Sequence, residues 1–443
     1  MTLSYISLTQ DDIRSMLGTI GVASIDALFA DIPAPLLLKK PPRLGPALSE
    51  PELVRHITAL ARKNKRITAS FLGAGCYHHF IPATVDAVIS RSEFYTSYTP
   101  YQPEVSQGNL QAIFEYQSML CELTGMDTVN ASVYDGATAL AESALMSVRI
   151  NNKTKVVLSK TVHPQYREVV HTYCSAAGLG VQEVRTVNGC TDPAALDKLV
   201  DADTACVLVQ SPNFFGLVED LAAVSALAHT HGALCVVCVV EPTALGLLKP
   251  PGAFAVDITA AEGQSLGNAQ NFGGPHLGIM GCKSEYVRRL PGRLVGMTRD
   301  SKDRRGFVLT LQAREQHIRR QAATSNICSN QALCALAAAV YLATLGYKGL
   351  RRVAELSASH AAYLYERLVE LPGFEEVFPS PFYNEFVVRC PDAPAVNKKL
   401  AGAGILGGLM LENYYPELKN CLLFCVTEMN TRQDIDTLLE VLA

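Results

Sequence analysis

The sequence has no surplus of either charge, since 38 Lys and Arg against 42 Asp and Glu leave a net charge of −4 at pH 7. That balance carries no electrostatic footprint for nucleic acid or for an anionic membrane surface. It also lacks an apolar run long enough to cross a bilayer. The longest, near residues 232–248, is broken by Glu241 and Pro242. The opening MTLSYISLTQDD has no basic start and turns acidic at once, unlike a secretory signal. A soluble, cytoplasmic protein is expected. Metal-site spacing is missing as well. Thirteen cysteines are scattered through apolar segments, and Cys235 and Cys238 form a CxxC with no second cluster to complete a zinc site. Within a strand, residues three apart face opposite ways, so buried, reduced thiols and no bound metal are expected. Walker A and HExxH patterns are absent, and Gly73-Ala-Gly75 lacks both the third glycine and the preceding strand of a nucleotide fingerprint.

What is present suits a large α/β protein. At 443 residues, nearly half of them apolar, the chain is long enough for two or three domains. Residues 1–70 read as an N-terminal arm. Thr9 caps a helix with Ile13, Met16, Leu17 and Ile20 on one face, a proline-rich stretch follows, and Ser49-Glu-Pro-Glu52 forms a capping box. Such a stretch buries too little of its own surface to stand alone and reads as an oligomer contact. Residues 71–320 alternate apolar strands with helices, which predicts a mostly parallel sheet covered on both faces. Residues 321–443 predict a small α+β C-terminal domain.

The stretch from Gly232 to Cys282 organises the rest. It predicts two buried strands, Ala233–Val240 and Val256–Glu262, then the glycine-rich Phe272-Gly-Gly-Pro-His-Leu-Gly278 leading into a third. Glu241 stands at the carboxyl end of the first strand. Enzymes that use pyridoxal phosphate (PLP) on the fold-type I scaffold place a carboxylate there for the pyridine nitrogen, and a Schiff-base lysine after the next strand. No lysine lies between Lys249 and Lys283, and Gln264-Ser265 stand where one is expected. Asp135-Gly-Ala-Thr138 precedes a helix, so Gly136, Ala137 and Thr138 offer N–H groups suited to a phosphate, although Asp135 can fill that anion position itself. His163 is the candidate for stacking on a cofactor ring.

Several stretches carry a family resemblance: FLGAGCYHHFIPATVDAVISRSEFYTSYTPYQPEVSQGNLQAIFEYQSMLCELTGMD from Phe71, NFFGLVED, LGLLKPPG, EGQSLG with FGGPHLG, and REQHIRR followed by ATSNIC. On these, spread over most of the chain, the sequence resembles the alpha subunit, or N-terminal half, of the glycine cleavage P-protein. The length fits the split form of that family. The resemblance implies decarboxylation of glycine on PLP and transfer of the aminomethyl group to the lipoyl arm of H-protein. It also implies that the Schiff-base lysine belongs to a beta subunit, paired with alpha as αβ or α2β2. Two departures stand out. Glu241 occupies a position where catalytic relatives carry Asp, and Gln321-Ala322 interrupt a pair that is usually charged.

On that reading no catalytic residue belongs to this chain. Tyr95, Thr96 and Tyr98, from a segment rich in polar aromatics, and Thr324, Ser325 and Asn326 are candidates for completing a partner's site; packing at the subunit interface is the plainer role for both groups. Gly136, Ala137, Thr138, His163, Glu241 and Gln264 form a degenerate cofactor set. Arg314, Arg319 and Arg320 read as interface ion-pair partners. The rival readings are a non-catalytic scaffolding or regulatory pseudoenzyme, and an autonomous PLP enzyme using the misplaced Lys249 or Lys283.

Overall fold

The computed structural model describes residues 7–443. They form two units, one ending at Lys65 and one running from Arg66 to Ala443. In the first, Thr9 and Ser49 each close a capping box at the start of helices Gln10–Ile20 and Glu50–Ala61, satisfying N–H groups that the helix itself leaves free. Neither helix has a buried residue, and Met16, Ile20, Leu53 and Ile57 stay exposed. The proline-rich stretch between them makes only single turns at Asp26–Phe29 and Ala34–Leu36.

The second unit is built on a seven-stranded sheet. Its strands are β1 Thr128–Val129, β2 Lys155–Ser159, β3 Gly180–Val184, β4 Thr204–Gln210, β5 Leu234–Val239, β6 Ile258–Glu262 and β7 Gly278–Cys282. They lie in the order β1-β7-β6-β5-β4-β2-β3; β2 to β6 run parallel, and β7 runs antiparallel to β6 and β1. Every residue of β4, β5 and β6 is buried, as continuous apolar runs require when helices cover both faces. Alternation then sorts the side chains. Cys235, Val237 and Val239 join the core on one face, while Val236 and Cys238 join the core on the other. The CxxC therefore straddles the sheet, and all thirteen cysteines are free thiols.

At the amino ends of β5 and β6 the buried Asp257 accepts a hydrogen bond from the Cys235 N–H (2.8 Å) and pairs with His229 (2.7 Å) and Lys283. This fastening closes the lower edge of the sheet. The carboxyl ends of the parallel strands, where ligands bind in such sheets, lie at the opposite edge.

Helix Ala332–Val369 breaks at Gly346 (φ 57°, ψ −174°) and is one kinked element. By length and composition this helix could cross a bilayer. Its buried side chains instead join the protein's cores: Cys334, Ala338 and Tyr341 those of the large sheet, Ala361, Leu364 and Leu368 those of the C-terminal sheet. That second sheet has four strands centred on Glu385–Arg389 and Cys421–Cys425. Ala69–Ser70 pair in parallel with Ile405–Leu406, and Phe71 enters the C-terminal core, so the chain directly after Arg66 is stitched to its far end.

The junction between β4 and the C-terminal sheet depends on Gly216. Its φ is +83°, and a Cβ there would lie 1.9 Å from the Glu385 carbonyl oxygen. Gly216→Ala should cost roughly 2–3 kcal/mol, seen as a lower urea midpoint. An unchanged midpoint would mean that this junction yields without cost.

Candidate functional site

The carboxyl edge of the sheet brings together Gln210, Glu241 and Glu262, all buried, and the amino end of helix Gly136–Asn151. Such a helix end presents unpaired N–H groups and a positive dipole, so it draws an anion. Here the chain supplies its own. The Asp135 carboxylate accepts from the Thr138 N–H (2.7 Å), and the Glu262 carboxylate accepts from the Gly136 N–H (3.0 Å). Glu262 also accepts from the Gln264 N–H (3.0 Å) and the Leu277 N–H (3.1 Å), with His276 at 3.4 Å. That hydrogen bond to Glu262 is the largest of the effects that raise the His276 ring above its ordinary value. A phosphate at Gly136-Ala137-Thr138 would meet two carboxylates already in place.

Glu241 is just as fully engaged. One carboxylate oxygen accepts from the Thr243 N–H (3.0 Å), the Thr243 hydroxyl (2.5 Å) and the Ser265 hydroxyl (2.9 Å). The other lies 3.2 Å from His79 Nε2, and His79 Nδ1 lies 2.7 Å from Glu428. Burial alone would pull the His79 ring down, but the two carboxylates outweigh it and raise it to about 10. The imidazolium therefore takes the carboxylate that a pyridinium would need.

The side chains at the expected lysine position are committed too. The Gln264 amide oxygen accepts from the Tyr77 N–H (2.8 Å), and its NH2 donates to the carbonyls of Tyr77 (3.1 Å) and Asn268 (2.8 Å). Lys283 is held by Asp257 at the opposite end of the sheet, and Lys249 is exposed after the Pro242–Gly246 turn. Neither lysine reaches the site.

His163, at the end of the loop after β2, has its ring beside Tyr166 and Phe214 (centroids 5.0 and 4.9 Å). Its Nε2–H donates to the Ala74 carbonyl (2.8 Å), and its Nδ1 accepts from the Gln165 N–H (3.2 Å). Burial pushes it down to about 4, so the ring is neutral. Gly75 lies against this ring: a Cβ there would come within 2.9 Å of Nε2. The 74–77 segment is held in place by the buried Glu385, which accepts from the Ala74 N–H (2.6 Å) and the Tyr77 hydroxyl (2.8 Å). Burial raises the Glu385 carboxyl to about 7. A cavity of about 500 Å³ remains beside His163, Asp135, Glu262 and His276.

The second group of candidates lies elsewhere. Tyr95 ends the short helix Ser92–Tyr95, and Tyr98 follows it; both are exposed, Tyr98 at 83%. The Thr96 hydroxyl is spent on the Ser92 carbonyl (2.7 Å). Thr324, Ser325 and Asn326 line a separate cavity of about 500 Å³. There the Ser325 hydroxyl donates to the buried Glu142 (2.8 Å). The structure thus keeps the degenerate set together and separates both interface groups from it. Arg314 and Arg319, read from the sequence as ion-pair partners across an interface, have no carboxylate partner among the described residues of this chain. Sequence reasoning missed His79, Glu262, Glu385 and Glu428. Only Glu262 had a local signal, because it ends its strand as Glu241 ends β5.

A family model described as the glycine cleavage system P-protein matches residues 3–442. The chain belongs to this family. Among P-protein relatives, the probable glycine dehydrogenase (decarboxylating) subunit 1 of Anoxybacillus flavithermus is 54% identical over 441 residues, 99% of this chain and 98% of that one. A crystal structure titled glycine decarboxylase (P-protein) of the glycine cleavage system, in inhibitor-bound form, matches with a TM-score of 0.89 at 44% identity over 99% of both chains. More distantly, a C-DES mutant with glycine covalently linked to its PLP cofactor shares the fold, with a TM-score of 0.62 at 17% identity over 88% of this chain and 98% of that one. The P-protein frame is that of the fold-type I PLP enzymes.

The residues of this site do not fit that cofactor. The phosphate position holds Glu262 and Asp135, the strand-end carboxylate is paired with His79, Gly75 lies against the Nε2 edge of His163, and among the described residues no lysine lines the cavity. The same contacts make a stability prediction. The folded His79 value lies above its ordinary 6.5, so its contribution is complete below about 6.5 and is lost as pH rises through about 10. Glu428 is lowered from 4.5: burial opposes this, but the hydrogen bond and charge of His79 prevail. Its contribution is present above 4.5 and fades in acid. The urea midpoint should therefore fall on the alkaline side. His79→Leu, leaving two buried carboxylates without their cation, should cost about 3–5 kcal/mol and flatten that alkaline slope. A variant that keeps the wild-type slope would remove His79 as its source.

Proposed function

We propose that this chain is the alpha subunit of a glycine-cleaving P-protein, the half that does not hold the cofactor. A lysine-bearing beta subunit would carry PLP and supply the chemistry by which glycine loses CO2. The assembly would then pass the aminomethyl group to the lipoyl arm of H-protein. One observation carries the reading. Every position that would grip PLP in this frame is saturated by the chain's own side chains, while family membership spans almost the full sequence.

In the assembly, this chain's residues would act by shape and by hydrogen bonding. The unit ending at Lys65 leaves its apolar side chains uncovered, which suits an arm laid on a partner. Tyr95 and Tyr98 present phenol rings with free hydroxyls on an exposed turn. They can line a partner's opening, exclude water and donate to a polar group of an entering substrate. Thr324 has a hydroxyl free to reach a neighbouring anion, whereas Ser325 is already bound to Glu142. We assign the cross-subunit role to Tyr98 and Thr324 on this ground.

Two experiments test the reading. The purified chain mixed with equimolar PLP and then borohydride should gain no stoichiometric label on a single lysine; one lysine labelled stoichiometrically would overturn it. Glycine-dependent CO2 exchange should appear only when the lysine-bearing partner is added. In that mixture Tyr98→Phe and Thr324→Ala should lower turnover about tenfold, the size of one lost hydrogen bond to a charged group, while sedimentation shows assembly intact. Full activity of the partner alone would favour a purely scaffolding role.

A further inference from the structure

Four arginines line one cavity, and none of them has an ion-pair partner among the described residues. Arg288 and Arg289, on the turn after β7, and Arg314 and Arg319, in the REQHIRR segment, line a cavity of about 300 Å³ with Thr324 at its edge. Among the described residues none of the four pairs with a carboxylate. The nearby acids are committed elsewhere: Glu315 lies 3.6 Å from both Arg293 and His317, and Glu142 holds Ser325 and faces Arg149 at 3.9 Å.

The cavity is also built. Arg314 is anchored by donating to the carbonyls of Leu311 (3.1 Å) and Gly292 (3.0 Å), and its Nη1 is buried without a hydrogen-bond partner. Arg319 Nε donates to the Ala313 carbonyl (3.3 Å). The positive field extends past the cavity wall. Burial pulls the Arg149 guanidinium below its ordinary range, and Arg289 pulls it further, against the opposing Glu142.

Like charges held together repel, and a concave wall strengthens their common field, so the arrangement is best satisfied when an anion enters. The planar guanidinium fork matches phosphate oxygens in pairs of hydrogen bonds. Arg314, its Nε and Nη2 spent on carbonyls, adds charge, while the exposed Arg288, Arg289 and Arg319 leave three forks that two linked phosphoryl groups engage more fully than one does. We propose that this cavity binds a diphosphate-bearing anion, either free pyrophosphate or a nucleoside diphosphate. Of the residues that line the cavity, only Thr324 also has a part in the proposed cross-subunit role.

Calorimetric titration of the full chain with pyrophosphate, ADP and inorganic phosphate, at matched ionic strength, tests it. Pyrophosphate should bind at least tenfold more tightly than phosphate. The double variant Arg288→Gln with Arg289→Gln changes two exposed side chains, and should weaken pyrophosphate tenfold or more with its melting temperature unchanged. ADP binding more tightly than pyrophosphate would identify a nucleotide as the source, and equal or weaker binding a free diphosphate. Pyrophosphate no tighter than phosphate, or a double variant that binds as the wild type does, would overturn the proposal.

Discussion

The buried triad of Glu241, His79 and Glu428 is the interaction on which the closed site depends. Three ionisable groups in a dry interior are costly unless each is paired and hydrogen-bonded. Here the imidazole bridges two carboxylates, while Thr243, Ser265 and the Phe80 N–H saturate the remaining oxygens. The three members come from distant parts of the sequence: the 71–82 loop, the end of β5 and the turn after the last strand of the C-terminal sheet. Their pairing holds those parts around one point at the edge of the sheet. With His79 in place, the 74–77 segment can lie over His163 and be gripped by Glu385 and Gln264.

A cofactor enzyme of this frame receives part of its stability from its ligand, by an amount that depends on ligand concentration. This chain obtains the equivalent contacts internally. A carboxylate on a strand reaches the helix end without losing the translational freedom that a free phosphate must lose. The imidazole at Glu241 likewise needs no binding step, and it keeps its charge until pH nears 10. The internal groups would therefore outcompete a dilute external ligand for these contacts, although a cavity of about 500 Å³ lies beside them. Lack of a lysine and occupation of the phosphate position are separate obstacles, and adding the amine alone would leave the second untouched.

Much of this could be read in the sequence, and the limits follow from chain distance. Buried parallel strands declare themselves through continuous Val, Leu and Cys runs, and the opposite facing of Cys235 and Cys238 follows from the two-residue period of a strand. The missing lysine was legible because it is a local absence between two known positions. Glu241 was legible as a strand-end acid, but its partner was not: His79 is separated from it by 162 residues. Tyr77 and Glu385 are separated by 308 residues, and no periodicity links them. For Arg314 and Arg319 a basic run suggests ion pairs across an interface, and where their partners lie is a matter of folding and assembly that composition does not carry; within this chain the neighbouring Glu315 faces Arg293.

A sheet edge designed around a ligand presents several polar groups to one small volume, and without the ligand those groups must find other partners or destabilise the fold. Here they have found them: Glu262, Glu241, Gln264 and His163 each have internal hydrogen-bond partners. These groups therefore impose no requirement for a cofactor. The outer surfaces differ. Tyr95 at the end of its short helix, and Tyr98 and Phe272 on loops, are exposed, and helices Gln10–Ile20 and Glu50–Ala61 have no buried residue. Apolar area of that kind gains nothing in water and is stabilised only when another surface covers it. The saturated pocket and the unsatisfied exterior lead to one conclusion: the fold is self-sufficient where a cofactor would sit and incomplete where a partner would dock.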